Sequence, residues 1–238
     1  MRSYDLHVHS TFSGGTSSLE ELASTAKQLG YAGICFVTYP LSKREEEILK
    51  AEVERVKSRF DVEILLGVEA RNVKELKMLK ARMHTFDILL ARGGNTRLNA
   101  AAVSTPGVQI LTHPEFERED PGLNHVLVKE AAKNGVAIEI NLREVLIASK
   151  RTRVKVLENI ARNVMLAKKF HTPLVICSGA VSHWMMRDPQ VLVSLAVELG
   201  LSIKEAKNAI IEVPRRIVEQ AKKRRDGKLI MEGVEVVG

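Results

Sequence analysis

The sequence predicts an α/β fold, a TIM-like (β/α)7 barrel of parallel strands with extra helices at its C-terminal end. Three observations lead there. Seven short apolar runs alternate with helix-period segments as far as residue 177. The runs are dense in Val, Ile and Leu, as strands buried on both faces are. They recur roughly every 25–30 residues, which leaves room for one crossover helix in each interval, the spacing of βα units.

The strand runs cover 4–9, 33–38, 63–69, 87–91, 108–112, 136–141 and 173–177. Between them, segment 18–29 places Leu19, Leu22, Ala23, Ala26 and Leu29 on one face, and segment 152–170 does the same with Val156, Leu157, Ile160, Ala161, Val164 and Ala167. Three helix starts carry a capping-box pattern: Ser17 with Glu20, Ser42 with Glu45, and Ser202 with Glu205. After 177 the pattern is purely helical, over 188–199, 203–212 and 214–225, with Pro214 expected to open the last helix as its first residue. One domain over 1–225 and a flexible tail over 226–238 follow. A doubly wound sheet is the competing architecture. No glycine-rich dinucleotide fingerprint and no phosphate-binding loop accompany it.

Composition narrows the function. No apolar run approaches the roughly 20 residues that a membrane helix needs, and no charged-then-apolar leader precedes the first strand, so a cytoplasmic protein with no membrane partner is expected. Cys35 and Cys177 each sit in an apolar run and read as buried free thiols. Net charge is +7, and it is uneven. Residues 143–171 sum to +6 and residues 204–228 to +5, leaving −4 elsewhere. A basic C-terminal half suggests a polyanionic partner. Aromatic residues are only 4%, too few for a base-stacking platform, so phosphate contact and shape recognition are the expected mode. The candidate contacts to such a polyanion are Lys150, Arg151, Arg153, Lys168, Lys169, Lys222, Lys223, Arg224, Arg225 and, at a strand end, Arg92.

In a parallel barrel the chemistry gathers at the C-terminal ends of the strands. Those ends bring His7 and His9 (two apart, so sharing a face), Glu69, and His113. Two imidazoles with a carboxylate and a third His are a transition-metal donor set, with Asp5 placed to orient a ligand His from behind. Trp184, Met185 and Met186 form an apolar group after the seventh strand, either core or an anchor for a protein partner.

The DLHVHS opening, Glu69 in GVEA, His113 in THP and Asn141 in IEIN resemble the PHP (polymerase and histidinol phosphatase) superfamily. The resemblance implies a distorted seven-stranded barrel that binds up to three metals and hydrolyses phosphate esters. The later motifs depart. Thr38-Tyr39 stands where the superfamily has Asp-His. Arg92-Gly93-Gly94-Asn95 stands where it has a His loop. Ser178-Gly179-Ala180 stands where it has Ser-Asp-Ala-His. About half the ligand set is missing, and Glu69 is the one apparent acid, which leaves the four candidate ligands as vestigial or as a weak divalent site.

With FVTYP, ARGGN, IEINLREVL, SGAVSHWMMRDP and the basic C-terminal helices, the chain is similar over residues 1–220 to one branch, the archaeal ribonuclease P protein component 3 family, relatives of the eukaryotic thirty-kilodalton subunit. The branch implies an accessory subunit of the endoribonuclease that removes the 5′ leader of precursor tRNA. There the RNA carries the chemistry with Mg²⁺, the protein requires no cofactor, and its partners are the ribonuclease P RNA, a small ferredoxin-like subunit (protein component 2) and precursor tRNA through the complex. A free-standing metal-dependent phosphoesterase of the histidinol-phosphatase kind is the competing function, and a scaffold that binds only proteins is a third.

Overall fold

A computed structural model describes residues 2–225 and, as backbone alone, Leu229–Met231 and Val234–Glu235. Seven strands form one parallel sheet in sequence order: β1 (Tyr4–Val8), β2 (Gly33–Thr38), β3 (Glu63–Ala70), β4 (Ile88–Arg92), β5 (Ile110–Thr112), β6 (Ala137–Asn141) and β7 (Leu174–Cys177). The first and last strands are joined by a bridge between Val8 and Ala180, with the His9 amide donating to the Ala180 carbonyl at 2.7 Å. The sheet is a nearly closed TIM-like barrel, and the doubly wound alternative is set aside because a doubly wound sheet leaves its end strands apart.

Helices cover the outside: α1 (Leu19–Gln28), α2 (Lys43–Lys57), α3 (Val73–Ala81), α4 (Thr96–Val103), α5 (His125–Lys133), α6 (Leu142–Ile147) and α7 (Lys150–Phe170). Then come α8 (Pro189–Glu198), α9 (Ile203–Ile210) and α10 (Glu212–Arg225). The capping boxes at Ser42 and Ser202 form as expected. At α1 the box is made one residue later, by Ser18 with Glu21, because both frames of Ser17-Ser18-Leu19-Glu20-Glu21 satisfy the pattern. Ser17 is buried and instead accepts from the His183 amide at 3.0 Å. Pro214 is the third residue of α10, not its first. In a first turn the missing N–H has no intrahelical partner to lose.

The barrel lumen is filled by a second apolar cluster, distinct from the one under the helices. It contains Tyr4, Leu6, Leu65, Ile88, Leu90, Ile110, Val175 and both cysteines, which are free. Val213, Ile217 and Val218 of α10 belong to it, so α10 closes the N-terminal end of the barrel. The expected tail over 226–238 falls largely outside the described residues; within it a short antiparallel pair is described, β8 (Leu229–Met231) with β9 (Val234–Glu235).

The pairing of β1 with β2 shifts register between Asp5 and Val8. Strict alternation would put Leu6 and Val8 on one face, yet Leu6 lies in the lumen and Val8 under the helices. The extra residue turns His7 and His9 inward at the mouth and separates Asp5 from them.

Candidate functional site

At the mouth, the ends of β1, β3 and β5 bring His7, His9, Glu69 and His113 together, all 4% exposed or less. The sequence reading expected this grouping. It missed Glu139 and Glu144. Glu139 on β6 accepts from His7 Nδ1 at 2.7 Å, from the His113 amide at 3.1 Å and from the Asn141 amide nitrogen at 3.0 Å. Glu144, in the first turn of α6, lies 3.2 Å from His113 Nδ1. Glu69 accepts from the Thr112 hydroxyl at 2.5 Å. The signal for Glu139 was present as a carboxylate on the lumen-facing parity of a strand end. Asp5 does not orient a histidine ring: its Oδ1 accepts from the amides of His7 (3.4 Å) and Ser178 (3.1 Å), which ties β1 to β7.

The electrostatics give each proton one place. Burial opposes charge on His7, but Glu139, hydrogen-bonded to it, outweighs burial with help from Glu69 and Asp5 and raises His7 to about 9. Burial raises Glu139 in isolation, but the His7 imidazolium and its hydrogen bond prevail and lower the group to about 2. Burial, then the charges of His7 and His113, lower His9 to about 2. His7 is therefore an imidazolium that donates to Glu139 on one side and, at 2.9 Å, to the neutral His9 Nε2 on the other. His9 Nδ1 donates to Ser13 Oγ at 3.0 Å, and Ser13 donates to the Val37 carbonyl at 2.7 Å.

His7, His9 and Glu69 each offer one ligand atom, and these lie within 4.8 Å of one another. His113 Nε2, 4.0 Å from Glu69, is buried without a hydrogen-bond partner among the described residues. With the His7 Nε2 proton displaced, this donor set fits one divalent ion, which would supply Lewis-acid charge at the mouth. It does not fit a bridged pair. Both Glu139 oxygens are taken, one by His7 and the other by the His113 amide and Asn141, and where the superfamily has the Asp of its last motif the chain has Gly179. That glycine has φ +60°, and a Cβ there would meet the Asn141 side-chain amide at 2.4–2.5 Å. Gly179→Ala is expected to cost about 2–3 kcal/mol of stability, as backbone strain and overlap add; a urea titration with an unshifted midpoint would contradict it.

The other replaced positions are also occupied. Tyr39 stacks on His9 with ring centres 5.5 Å apart and accepts from Arg92 at 3.2 Å. Arg92 lies over the Phe116 ring at 4.7 Å, so it is braced at the mouth with little freedom to swing.

The basic candidates fall into two groups at opposite ends of the barrel. Lys150 and Arg151 are exposed at the start of α7, on the mouth side, with Arg153 donating to the Ala148 carbonyl at 2.8 Å. The others lie toward the N-terminal ends of the strands. Lys168 donates to the Gly200 carbonyl at 2.7 Å and pairs with Glu205 at 3.1 Å, and Lys169 lies over Phe170 at 5.6 Å. On α10, Lys222 pairs with Glu63 at 2.7 Å, Arg225 with Asp87 at 3.1 Å, and Arg224 donates to the Asp87 carbonyl. Lys223 is exposed on the same turn. The charge at the end of α10 thus has a local task, holding the helix against the strands, which the sequence reading did not foresee.

Known proteins resemble the chain along its whole length. The family model for RNase P subunit p30 matches residues 2–226. Ribonuclease P protein component 3 of Methanosarcina mazei is 35% identical over 98% of this chain and 95% of its own, and that of Methanothermobacter thermautotrophicus is 33% identical over 100% and 96%. A chain in the cryo-EM structure of archaeal ribonuclease P with mature tRNA superposes with TM-score 0.79 at 29% identity, covering 98% of both chains. The metal-dependent tyrosine phosphatases YwqE of Bacillus subtilis and CpsB of Streptococcus pneumoniae share the fold, with TM-score 0.60 at 17% identity over 99% of this chain and 100% of that one. The barrel, the altered mouth and the full-length matches agree, and the chain belongs to the RNase P subunit p30 family.

Proposed function

We propose that the chain is a protein subunit of ribonuclease P and supports RNA-catalysed removal of the 5′ leader from precursor tRNA. The observation that carries this is the match over 98% of both chains to a component of archaeal ribonuclease P with tRNA. The mouth chemistry is consistent with it. A phosphoesterase of the superfamily's kind builds its site on ligands that bridge two or three ions, whereas here Tyr39 and Gly179 stand where such ligands would be.

We infer that the chain itself requires no cofactor and that Mg²⁺ serves the RNA. The partners in this reading are the ribonuclease P RNA, the small ferredoxin-like protein component 2, and precursor tRNA through the complex. RNA contact falls to exposed cations such as Lys150 and Arg151, which meet phosphates and lose affinity as salt rises. Among the described residues no helix is long and apolar enough to cross a membrane; the place of the subunit in this reading is the cytoplasm.

The test is cleavage of precursor tRNA by the cognate RNA at low Mg²⁺, with the small subunit, with and without this chain. Cleavage is expected to depend on the chain and to survive Glu69→Gln. That substitution keeps an acceptor for Thr112 and removes the one carboxylate of the donor set. Unchanged cleavage without the chain would sink the subunit reading. Loss of cleavage in a folded Glu69→Gln variant would restore a catalytic metal.

A further inference from the structure

Met186 is buried, as the core reading of the Trp184-Met185-Met186 group expected, but Trp184 is 79% exposed. It sits on a short 3-10 turn, His183–Met185, beside a groove of about 580 Å³. The groove runs along α1 and is lined by Glu20, Glu21, Arg55, Phe60, His183 and Trp184, with small polar residues of α1 between.

The turn is held from below. Ser17 accepts from the His183 amide at 3.0 Å and contacts its Nδ1 at 2.8 Å. Arg187 donates to the carbonyls of Trp184 and Met186 at 2.7 and 2.8 Å. The His183 and Trp184 rings lie 4.5 Å apart. The backbone under the indole is therefore fixed while the ring itself stands in solvent, which is the arrangement of a preorganised anchor.

Charge selects what it takes. Glu21 is held in place by its capping box, accepting from the Ser18 amide and hydroxyl at 2.8 and 2.9 Å. Arg55 donates to Glu52 and Glu20, and Arg59 to Glu20, so the nearby guanidiniums are already spent on carboxylates. A phosphate approaching the groove finds Arg55 and Arg59 already paired with Glu20 and Glu52 and meets the carboxylate of Glu21. A cation on a flexible stem meets an aromatic face and a fixed carboxylate, the two groups that attract it.

We propose that this groove is a docking site for a protein partner, which lays an arginine or lysine across Trp184 with its head group at Glu21. The proposal rests on the subunit role above, since it needs a complex with other proteins.

The test places a photo-crosslinking benzophenone amino acid at position 184, in ribonuclease P reconstituted from the cognate RNA and all its protein subunits. Entry of the unsubstituted chain into the complex is scored first, by co-purification with the RNA. Failure to enter overturns the subunit reading and this proposal together. With entry established, the expected product is a covalent adduct to a protein subunit at a peptide containing Arg or Lys. A separate binding measurement between purified chain and that subunit is expected to show about a 30-fold loss of affinity in Trp184→Ala and a smaller loss in Glu21→Gln, with melting temperatures near that of the parent. An adduct to RNA, or entry without any protein adduct, overturns the docking proposal alone. Because Trp184 is the single tryptophan of the chain, a blue shift of its emission on adding that subunit, with any tryptophan of its own replaced by phenylalanine, checks the contact without a label. Unchanged emission counts against it.

Discussion

Glu139→Ala is expected to lower the unfolding free energy by about 3–5 kcal/mol near pH 6, because it leaves the buried His7 imidazolium without its counter-charge. The carboxylate also accepts from the His113 amide and the Asn141 side chain, so its removal strands two further donors. The loss depends on pH. The depressed Glu139 contributes stability that is present above about 4.5 and fades as pH falls toward about 2. The raised His7 contributes stability that is full below about 6.5 and is lost as pH rises through about 9. The gap between parent and variant is therefore widest from about pH 4.5 to 6.5 and narrows on either side. Urea titrations at pH 4, 6 and 9 check this; a gap independent of pH would mean that the ion pair is not what Glu139 contributes.

The second large effect lies at the other end of the barrel. Ile217→Asp puts a carboxylate into the lumen cluster, where the native side chain is 5% exposed among Val213, Val218 and strand residues. The cost is expected to exceed about 4 kcal/mol, since an unpaired buried charge is among the few changes that reach this size. Either the domain unfolds or α10 leaves the barrel and exposes the lumen. Arg216→Asp, one residue away on the exposed side of α10, is the control and is expected to stay within about 0.5 kcal/mol of the parent. Thermal melts and binding of a hydrophobic dye separate the outcomes. Equal melts for the two variants would show that α10 does not close the barrel.

Much of this was readable in the sequence because it is local. Apolar runs of β-branched residues between amphipathic helices specify parallel strands whatever their neighbours do, and all seven strands appear within a residue or two of the expected bounds. The grouping of His7, His9, Glu69 and His113 followed from one rule, that the C-terminal strand ends converge. What was not readable depends on pairing between distant segments. The β1 register shift arises from its ladder with β2, so the assumption of strict alternation kept Asp5 on the histidine face, where it is not. Glu139 is one of many acids in the chain until β6 is set beside β1. Likewise the cations of α10 look like a free basic surface until Glu63 and Asp87, far away in sequence, are seen to receive Lys222 and Arg225. Trp184 sits between a histidine and two methionines, and composition alone could not separate the exposed ring from the buried Met186.

The order of the sheet has a consequence for how the chain folds. Every ladder from β1 to β7 joins strands that are neighbours in sequence, so pairing propagates through successive crossovers of similar length. Closure at Val8 and Ala180 is the exception, joining the two ends of the barrel chain. Because loop entropy grows only with the logarithm of length, that step costs roughly 1.5 kcal/mol more than a neighbouring crossover. The pairing of the first strand with the seventh is therefore expected to come late in assembly and to open early. His7 and His9 ride on that first strand, so the charged mouth forms only when the ring has closed, and its integrity reports that closure.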